Sequence, residues 1–300
     1  MKLLFKVTAV SLLLIFVFTN CSKPAKTKDT YKITLTDDLS NKINFTKKPL
    51  RIVSLAPSIT EMIYFLDLGD KLVGNTLYCD YPEAAKKVTK VGDLLSIDAE
   101  KILMLKPDVV FVSVEGNTKE NYQKLIKLGL TVFVSNPRNY EGIKKTLSDL
   151  GKMFNKKEKV DSVTANWDKR VEKLHRLSAN ITPQNVMFII ELKPLIVAGK
   201  NTFLNEYINI CGMKNIVDDS KLNYPILNRE EVLKRNPAFI LYATDKKDIK
   251  KLLLEMYPEW KNIDAVKKDN LFIIDANIFF RPGPRFINAA EQVFKYLHRE

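Results

Sequence analysis

The sequence is poor in the residues and motifs from which most enzyme active sites are built. Its 300 residues include two histidines, His175 and His298, and three cysteines. A transition-metal site normally needs several converging imidazoles or thiolates, so we expect no metal centre and place both histidines on the surface. The sequence also contains no G-x-x-x-x-G-K-[ST] loop, G-x-G-x-x-G turn or G-x-S-x-G elbow, the usual supports of nucleotide and hydrolase chemistry. We therefore predict that the chain is not an enzyme and holds no resident cofactor.

Long hydrophobic runs are also scarce. The longest, Val7–Phe18, has about twelve residues, whereas a membrane-spanning helix needs about 20. It follows two lysines and precedes Cys21, which suits a signal peptide over residues 1–20 and a polar tether over residues 21–30. The order resembles a bacterial lipoprotein signal, in which the cysteine is lipidated and becomes the new N-terminus. The local box Phe-Thr-Asn-Cys departs from the usual leucine and small residue, so ordinary secretion and an uncleaved anchor remain alternatives. We expect an exported protein, periplasmic or on the cell surface, held to the membrane by lipid on Cys21.

Positive charge is plentiful, with 48 Lys and Arg against 35 Asp and Glu, a net +13. Such a surplus suggests nucleic acid, a membrane surface or an acidic ligand as a partner. The lysines are spread over several predicted helices and the loops between them, however, rather than clustered with aromatics on one face. We interpret the surplus as lysine-rich background and predict no nucleic-acid partner. Removal of the signal leaves Cys79 and Cys211, which we expect to be two separate thiols, although one disulfide is arithmetically possible.

Apolar runs that alternate with helical patterns indicate an α/β fold with mainly parallel sheets. A hairpin is predicted over residues 31–46, and buried strands are predicted at 51–55, 108–113, 131–134, 186–191 and 271–275. Helices are predicted at 117–128, 140–154 and 202–211, and one more begins at Ser58. The S-x-x-E pattern of Ser58 and Glu61 predicts a capping box, so Glu61 is assigned a structural role.

One long helical pattern and one repeat indicate two lobes. Residues 156–180 carry a narrow apolar stripe at three- and four-residue steps, and about 22 helical residues would span about 33 Å, which suits a strut between lobes. The segments 99–112 and 229–242 align without gaps, each with a glutamate seven residues before a proline. We predict an N-terminal lobe over 31–154, a linker helix over 155–180 and a C-terminal lobe over 181–300.

Several motifs, in order, resemble the helical-backbone substrate-binding proteins of bacterial ABC importers, the receptors for cobalamin and ferric siderophores. They are RIVSLAPSITE, VG-x(4)-CDYP, KVGD and E-K-I-L-x-L-K-P-D-V-V in the first half, and VAGKNTFLNEYINICGMKNIV, YPILNREEVL and RPGPR in the second. The similarity runs over nearly all of residues 32–298. It implies two α/β lobes joined by one rigid helix, with a metal chelate bound in the cleft between them.

The resemblance also implies partners and site residues. Glu100 and Glu230, the pair marked by the repeat, would dock onto arginines of the membrane permease, although a simple helix-start role is the alternative. Tyr78, Tyr224 and Arg281 match ligand positions of cobalamin receptors. Phe279 and Arg285 are further candidates in the cleft, with core packing and a structural ion pair as alternatives. Pro57 and Ser58 would line it at the first strand–helix loop.

Three departures leave the ligand open. Leu94 and Ser113 stand where cobalamin receptors carry tryptophans, and Asn277 stands where they carry an aspartate. Arg281 and Arg285 could instead meet the carboxylates or catecholates of a ferric siderophore. We expect a monomeric receptor for a cobalt- or iron-containing chelate; the alternative is an exported enzyme on the same fold that acts on a cofactor in the cleft.

Overall fold

The structure is a computed structural model and describes residues 31–298. The predicted signal peptide, Cys21 and the tether therefore lie outside the described residues. None of the helices within the described range is long and apolar enough to cross a membrane.

The N-terminal lobe is built on a four-stranded parallel sheet with the order β4-β3-β5-β6. The predicted hairpin, β1–β2, forms a separate antiparallel pair. The elements of this lobe are β1 (Ile33–Thr36), β2 (Lys42–Phe45), β3 (Ile52–Ser54), α1 (Pro57–Phe65), β4 (Leu72–Asn75), α2 (Ala99–Met104), β5 (Val109–Ser113), α3 (Lys119–Lys127), β6 (Val132–Ser135) and α4 (Tyr140–Met153). Strands β3, β5 and β6 are buried at every position, as expected for parallel strands covered on both faces.

A single helix, α5 (Lys157–Ser178), leads from this lobe to the next. Its 22 residues lie within the predicted range, and its buried positions include Val160, Trp167, Val171 and Leu174. The stripe packs on α4, and Arg170 donates to Glu291 of the C-terminal lobe at 2.8 Å. The helix is therefore attached to both lobes along its length.

The C-terminal lobe repeats the plan with a five-stranded sheet. Strands β11, β10 and β7 are parallel, β9 joins β7 in parallel, and β8 is antiparallel to β7. The elements are β7 (Asn185–Leu192), β8 (Leu195–Val197), α6 (Phe203–Ile210), β9 (Lys214–Asn215), α7 (Arg229–Arg235), β10 (Phe239–Ala243), α8 (Ile249–Met256), α9 (Asp264–Lys267), β11 (Leu271–Ile274), α10 (Ala276–Phe279) and α11 (Phe286–Leu297). The predicted two-lobed α/β fold with mainly parallel sheets is confirmed.

Successive side chains of each strand point to opposite faces of its sheet. The core of the described residues is accordingly divided into three apolar clusters. Each sheet has its own cluster on its outer face. The third cluster is continuous through both lobes and includes Trp167 of the linker helix. At its centre Tyr140 of α4 stacks on Phe286 of α11, with ring centroids 6.2 Å apart, and Phe286 stacks on Tyr207 at 4.6 Å. The lobes therefore share a packed interface in addition to the connecting helix.

Candidate functional site

A cavity of about 340 Å³ lies between the lobes, where the carboxyl ends of the parallel strands meet. Pro57 and Ser58 follow β3, Glu115 follows β5, and Asn277 follows β11. Ligands of open α/β sheets bind at this edge because the loops after the strands converge there. This space, the main cavity, is the candidate ligand site.

Four of the predicted ligand residues line the main cavity: Pro57, Ser58, Tyr78 and Arg281. The three positions at which the sequence departs from cobalamin receptors, Leu94, Ser113 and Asn277, line it as well. The structure thus gathers residues from both lobes that lie more than 200 positions apart in the sequence.

The RPGPR segment lies on the start of α1. Gly283 is the residue of this segment that approaches the Ser58 backbone, and a Cβ atom added to it would lie 3.3 Å from the Ser58 carbonyl oxygen. This contact places Arg281 and Arg285, on either side of the glycine, against the N-terminal lobe.

Arg281 is 8% exposed, and both of its Nη atoms are already engaged. Its Nη1 donates to Asp80 at 2.7 Å and to Glu61 at 3.2 Å, while Nη2 donates to Asn277 Oδ1 at 2.8 Å and to the Tyr78 carbonyl at 3.2 Å. Burial alone would raise the pKa of Asp80, but the hydrogen bond and charge of Arg281 outweigh it and lower that pKa. The guanidinium therefore fastens the two lobes together at the wall of the cavity.

The prediction of a capping box at Ser58 and Glu61 is wrong. The N-cap of α1 is Ala56, which has no side-chain cap, and proline occupies the first turn. Glu61 is 3% exposed, and its carboxylate accepts from Arg285 at 2.6 and 2.8 Å as well as from Arg281. A buried carboxylate needs such partners because an unpaired one is very costly to desolvate. Glu61 is thus the centre of an ion cluster between the lobes, the Glu61 cluster, which also contains Asp80, Arg281 and Arg285.

Arg285 lies behind the main cavity rather than in its wall. Besides Glu61, it donates to the Asn277 carbonyl at 2.6 Å, and its guanidinium lies 4.3 Å from the centre of the Tyr81 ring. It lines a different cavity, of about 360 Å³, that includes Glu61 and Tyr64. Arg285 therefore forms a structural ion pair, which was the alternative to a role in the cleft.

The structure corrects the placement of Phe279. This ring is fully buried, and it meets Tyr207 edge-on with ring centroids 5.4 Å apart. Its neighbour Phe280 lines the main cavity instead. Helix α10 has only four residues, so a shift of one position turns a side chain from the cavity to the core.

Tyr224 lies across the cleft from the N-terminal lobe, beside a second space. Its hydroxyl donates to Glu115 Oε2 at 2.7 Å, and Arg138 binds the other carboxylate oxygen. Burial first, and then the charge of Glu115, raise the pKa of Tyr224. The second space, the side cavity, measures about 430 Å³ and is lined by Ile190, Ile196, Phe203, Leu204 and Tyr224, together with Glu115 and Phe280. Glu115 and Phe280 thus belong to both cavities.

Sequence reasoning missed Glu115, although its position two residues after a buried parallel strand could have indicated it. It also missed Lys90, which organises the loop that carries Tyr78. The ammonium donates to Asn75 Oδ1 at 2.8 Å and to the carbonyls of Thr76, Cys79 and Ala85 at 3.0–3.2 Å. Burial lowers the pKa of Lys90. These contacts fold residues 76–85 around a single cation.

Glu100 and Glu230 occupy equivalent positions in the two lobes. Each is exposed and stands two residues after a capping side chain, Asp98 for α2 and Asn228 for α7. Neither carboxylate forms an ion pair with another described residue. Both positions lie away from the residues that line the main cavity.

The remaining candidates are cysteines and histidines. Cys79 and Cys211 are both buried and not joined, as expected. His175 is exposed, as predicted, whereas His298 is half-buried, with Nε2 2.8 Å from the Cys211 carbonyl oxygen. Within residues 31–298 no three His, Cys, Asp or Glu side chains are grouped so that they could hold a metal ion.

Comparison with known proteins identifies the class to which this architecture belongs. The model of the periplasmic binding protein family matches residues 52–278, so the chain belongs to that family. The uncharacterized ABC transporter substrate-binding lipoprotein YvrC of Bacillus subtilis is 30% identical over 97% of this chain and 96% of its own. The vitamin B12-binding protein of Photorhabdus laumondii is 30% identical over 83% of this chain and 88% of its own.

A solved structure agrees with these relatives. The periplasmic vitamin B12-binding protein BtuF of Vibrio cholerae superposes with a TM-score of 0.73 and 31% identity, and the match covers 83% of this chain and 97% of that one. The family and these relatives are binding proteins, in line with the prediction that the chain is not an enzyme.

Proposed function

We propose that this protein is the exported receptor of an ABC importer and that its ligand is a corrinoid rather than an anionic ferric siderophore. The relatives that share about 30% identity over most of the chain carry the first half of the proposal. The charge balance of the cleft carries the second.

The arginines at the cleft have no charge left to offer an anionic ligand. Arg281 and Arg285 are matched by Glu61 and Asp80, so the Glu61 cluster is neutral as a whole. Asn277, in place of an acidic residue, accepts from Arg281 without adding charge. Arg138 is in turn paired with Glu115. A polyanionic siderophore would bury its charges here without compensation, which is costly.

A corrinoid makes different demands on the cleft. Its periphery carries amides, which need hydrogen-bond donors and acceptors rather than charge. Ser58, Ser113 and Asn277 supply such groups around the main cavity, and Tyr78, 55% exposed, offers a flat ring at its edge. An amide-rich neutral chelate therefore fits this wall better than a polyanion.

Isothermal titration calorimetry of residues 21–300 tests the ligand. Cyanocobalamin, dicyanocobinamide and a ferric tricatecholate siderophore would be titrated separately. Calorimetry suits this protein because Trp167 and Trp260 are buried and neither lines the main cavity. We expect the two corrinoids to bind and the siderophore not to bind. Binding of the siderophore alone would overturn the ligand assignment, and binding of none would overturn the receptor proposal as stated.

The proposal includes delivery to a permease through Glu100 and Glu230. Their exposure, equivalent helix positions and lack of ion-pair partners among the described residues support it. Charge reversal of both, Glu100→Arg with Glu230→Arg, should abolish uptake by whole cells but leave ligand affinity unchanged. Glu120→Arg is the matched control, because Glu120 is exposed and also stands two residues after a capping side chain, Thr118. Loss of affinity in the double variant would contradict the docking assignment.

The proposal also places a lipid on Cys21, by which the receptor is held at the membrane. Replacement of this residue, Cys21→Ser, should move the protein from the membrane fraction to the soluble fraction. Retention in the membrane fraction would favour the uncleaved anchor instead.

A further inference from the structure

The hydrogen bond between Tyr224 and Glu115 joins the two lobes beside the side cavity. Glu115 follows β5 in the N-terminal lobe, and Tyr224 belongs to the C-terminal lobe, 109 positions later. The Glu115 side chain is 22% exposed and is fixed from the other side by Arg138. The hydrogen bond therefore ties a positioned carboxylate to the opposite lobe.

One partner of this contact, Glu115, lies in the wall that the two cavities share. The main cavity and the side cavity share Glu115 and Phe280 in their walls, and Tyr224 belongs to the side cavity. Each cavity alone, at about 340 and 430 Å³, is at the lower end of the range of about 300–1,000 Å³ for sites of drug-sized ligands. A macrocyclic chelate is larger than such ligands, so it would fill more space than either cavity alone provides.

We infer that the Tyr224–Glu115 hydrogen bond is a latch. It divides one ligand site into two chambers, and a large ligand must break it to bind. The side cavity is then a second subsite, and its isoleucine, leucine and phenylalanine walls suit the apolar part of the ligand. Glu115 stays paired with Arg138 when the latch opens, so no uncompensated charge is exposed to the ligand. The inference rests on the proposed function for the identity of the ligand but not for the existence of the latch.

The sign of the change in affinity distinguishes a latch from other roles. Tyr224→Phe removes only the hydroxyl, so a ligand no longer has to break its hydrogen bond to a carboxylate. Because a hydrogen bond to a charged group contributes on the order of 1.5 kcal/mol, we expect cyanocobalamin to bind about tenfold more tightly. A hydroxyl that contacts the ligand would give weaker binding, and one that only supports the fold would give unchanged or weaker binding; either result overturns the latch.

Tyr242→Phe is the matched control, since Tyr242 lies on β10 of the same lobe and has no hydrogen bond to the N-terminal lobe among the described residues. The affinity of this variant for cyanocobalamin should equal that of the unaltered protein. An equal gain in both variants would show that the gain does not come from the latch, and this too would overturn the inference.

A measurement without ligand separates failure of the latch from failure of the proposed function. Spin labels on Lys119→Cys and Lys221→Cys, exposed residues of opposite lobes, report the width of the cleft by pulsed electron resonance. Cys79 and Cys211 are buried and should not be labelled, and Cys21→Ser removes the third native cysteine. With Tyr224→Phe we expect a longer or broader distance distribution, and with Tyr242→Phe an unchanged one. An unchanged distribution in Tyr224→Phe overturns the latch, whether or not a corrinoid binds.

Discussion

Substitution of Glu61 tests whether the lobes are held together by the Glu61 cluster. The change Glu61→Gln keeps the size of the side chain but removes its charge. Arg281 would keep Asp80, while Arg285 would keep only the Asn277 carbonyl and the Tyr81 ring. Removal of one partner from a buried ion pair costs about 3–5 kcal/mol. Because the amide oxygen can still accept one hydrogen bond, we expect a loss near 3 kcal/mol.

Urea denaturation and calorimetry of residues 21–300 would measure this loss. At about 2–4 °C per kcal/mol for a chain of this size, the melting temperature should fall by about 6–12 °C. Glu158→Gln, an exposed glutamate in the first turn of α5, is the control and should change stability by less than about 0.5 kcal/mol. A loss below about 1 kcal/mol for Glu61→Gln would refute the reasoning, since exposed ion pairs already contribute that much.

A double-mutant cycle isolates the pair itself. If Glu61 acts through Arg285, then Glu61→Gln should cost less in an Arg285→Gln background, with a coupling energy of at least about 0.5 kcal/mol. Additive losses would mean that the two residues stabilise the protein independently.

Three further predictions concern residues around the main cavity. Ser58→Ala should change unfolding free energy in urea by less than about 0.5 kcal/mol, whereas loss of a true cap costs about 1 kcal/mol. Asp80 has a lowered pKa in the folded protein. Its pairing with Arg281 therefore stabilises the fold at pH values above the unfolded pKa of about 3.9, and this stabilisation is lost as the pH falls through the lower folded pKa. Asp80→Asn should lose less stability than the unaltered protein between pH 7 and pH 3. Lys90→Met removes the donor of Asn75 Oδ1 and of the Cys79 carbonyl, at roughly 1–3 kcal/mol each, so it should lower both the melting temperature and ligand affinity.

Each of these has a result that would contradict it. A cost near 1 kcal/mol for Ser58→Ala would restore the capping box. Equal acid sensitivity with and without the Asp80 carboxylate would show that its ion pair does not contribute. Unchanged affinity of Lys90→Met would mean that the loop positions Tyr78 without this cation.

The fold could be predicted because its determinants are local. Strands such as β5 and β6 are short runs of buried valine and phenylalanine, and the helices between them carry apolar stripes. The linker helix could be predicted from the length of its helical pattern and from its narrow apolar stripe. The repeat of a capped helix followed by a strand placed one copy in each lobe, as α2–β5 and α7–β10.

The site could be predicted only in part, because its contacts join residues that are far apart in the sequence. Glu61 meets its two arginines 220 and 224 positions later, and no local pattern encodes that pairing. The S-x-x-E spacing was a local pattern that predicted the wrong role, since the proline ahead of Ser58 shifted the start of the helix. Phe279 and Phe280 could not be distinguished because a four-residue helix has no periodicity to read.

Within residues 31–298, the two polar connections between the lobes differ in a way that determines how the cleft can open. The Glu61 cluster is buried beside a continuous apolar core and the linker helix, so separation of the lobes there would expose both charge and core. Tyr224 and Glu115, which line the side cavity, are instead joined by one hydrogen bond. Opening should therefore pivot about the Glu61 cluster, and the distance between labels at 119 and 221 should increase on binding while Arg281 and Arg285 keep their partners. A distance that stays constant when a corrinoid binds would contradict this pivot.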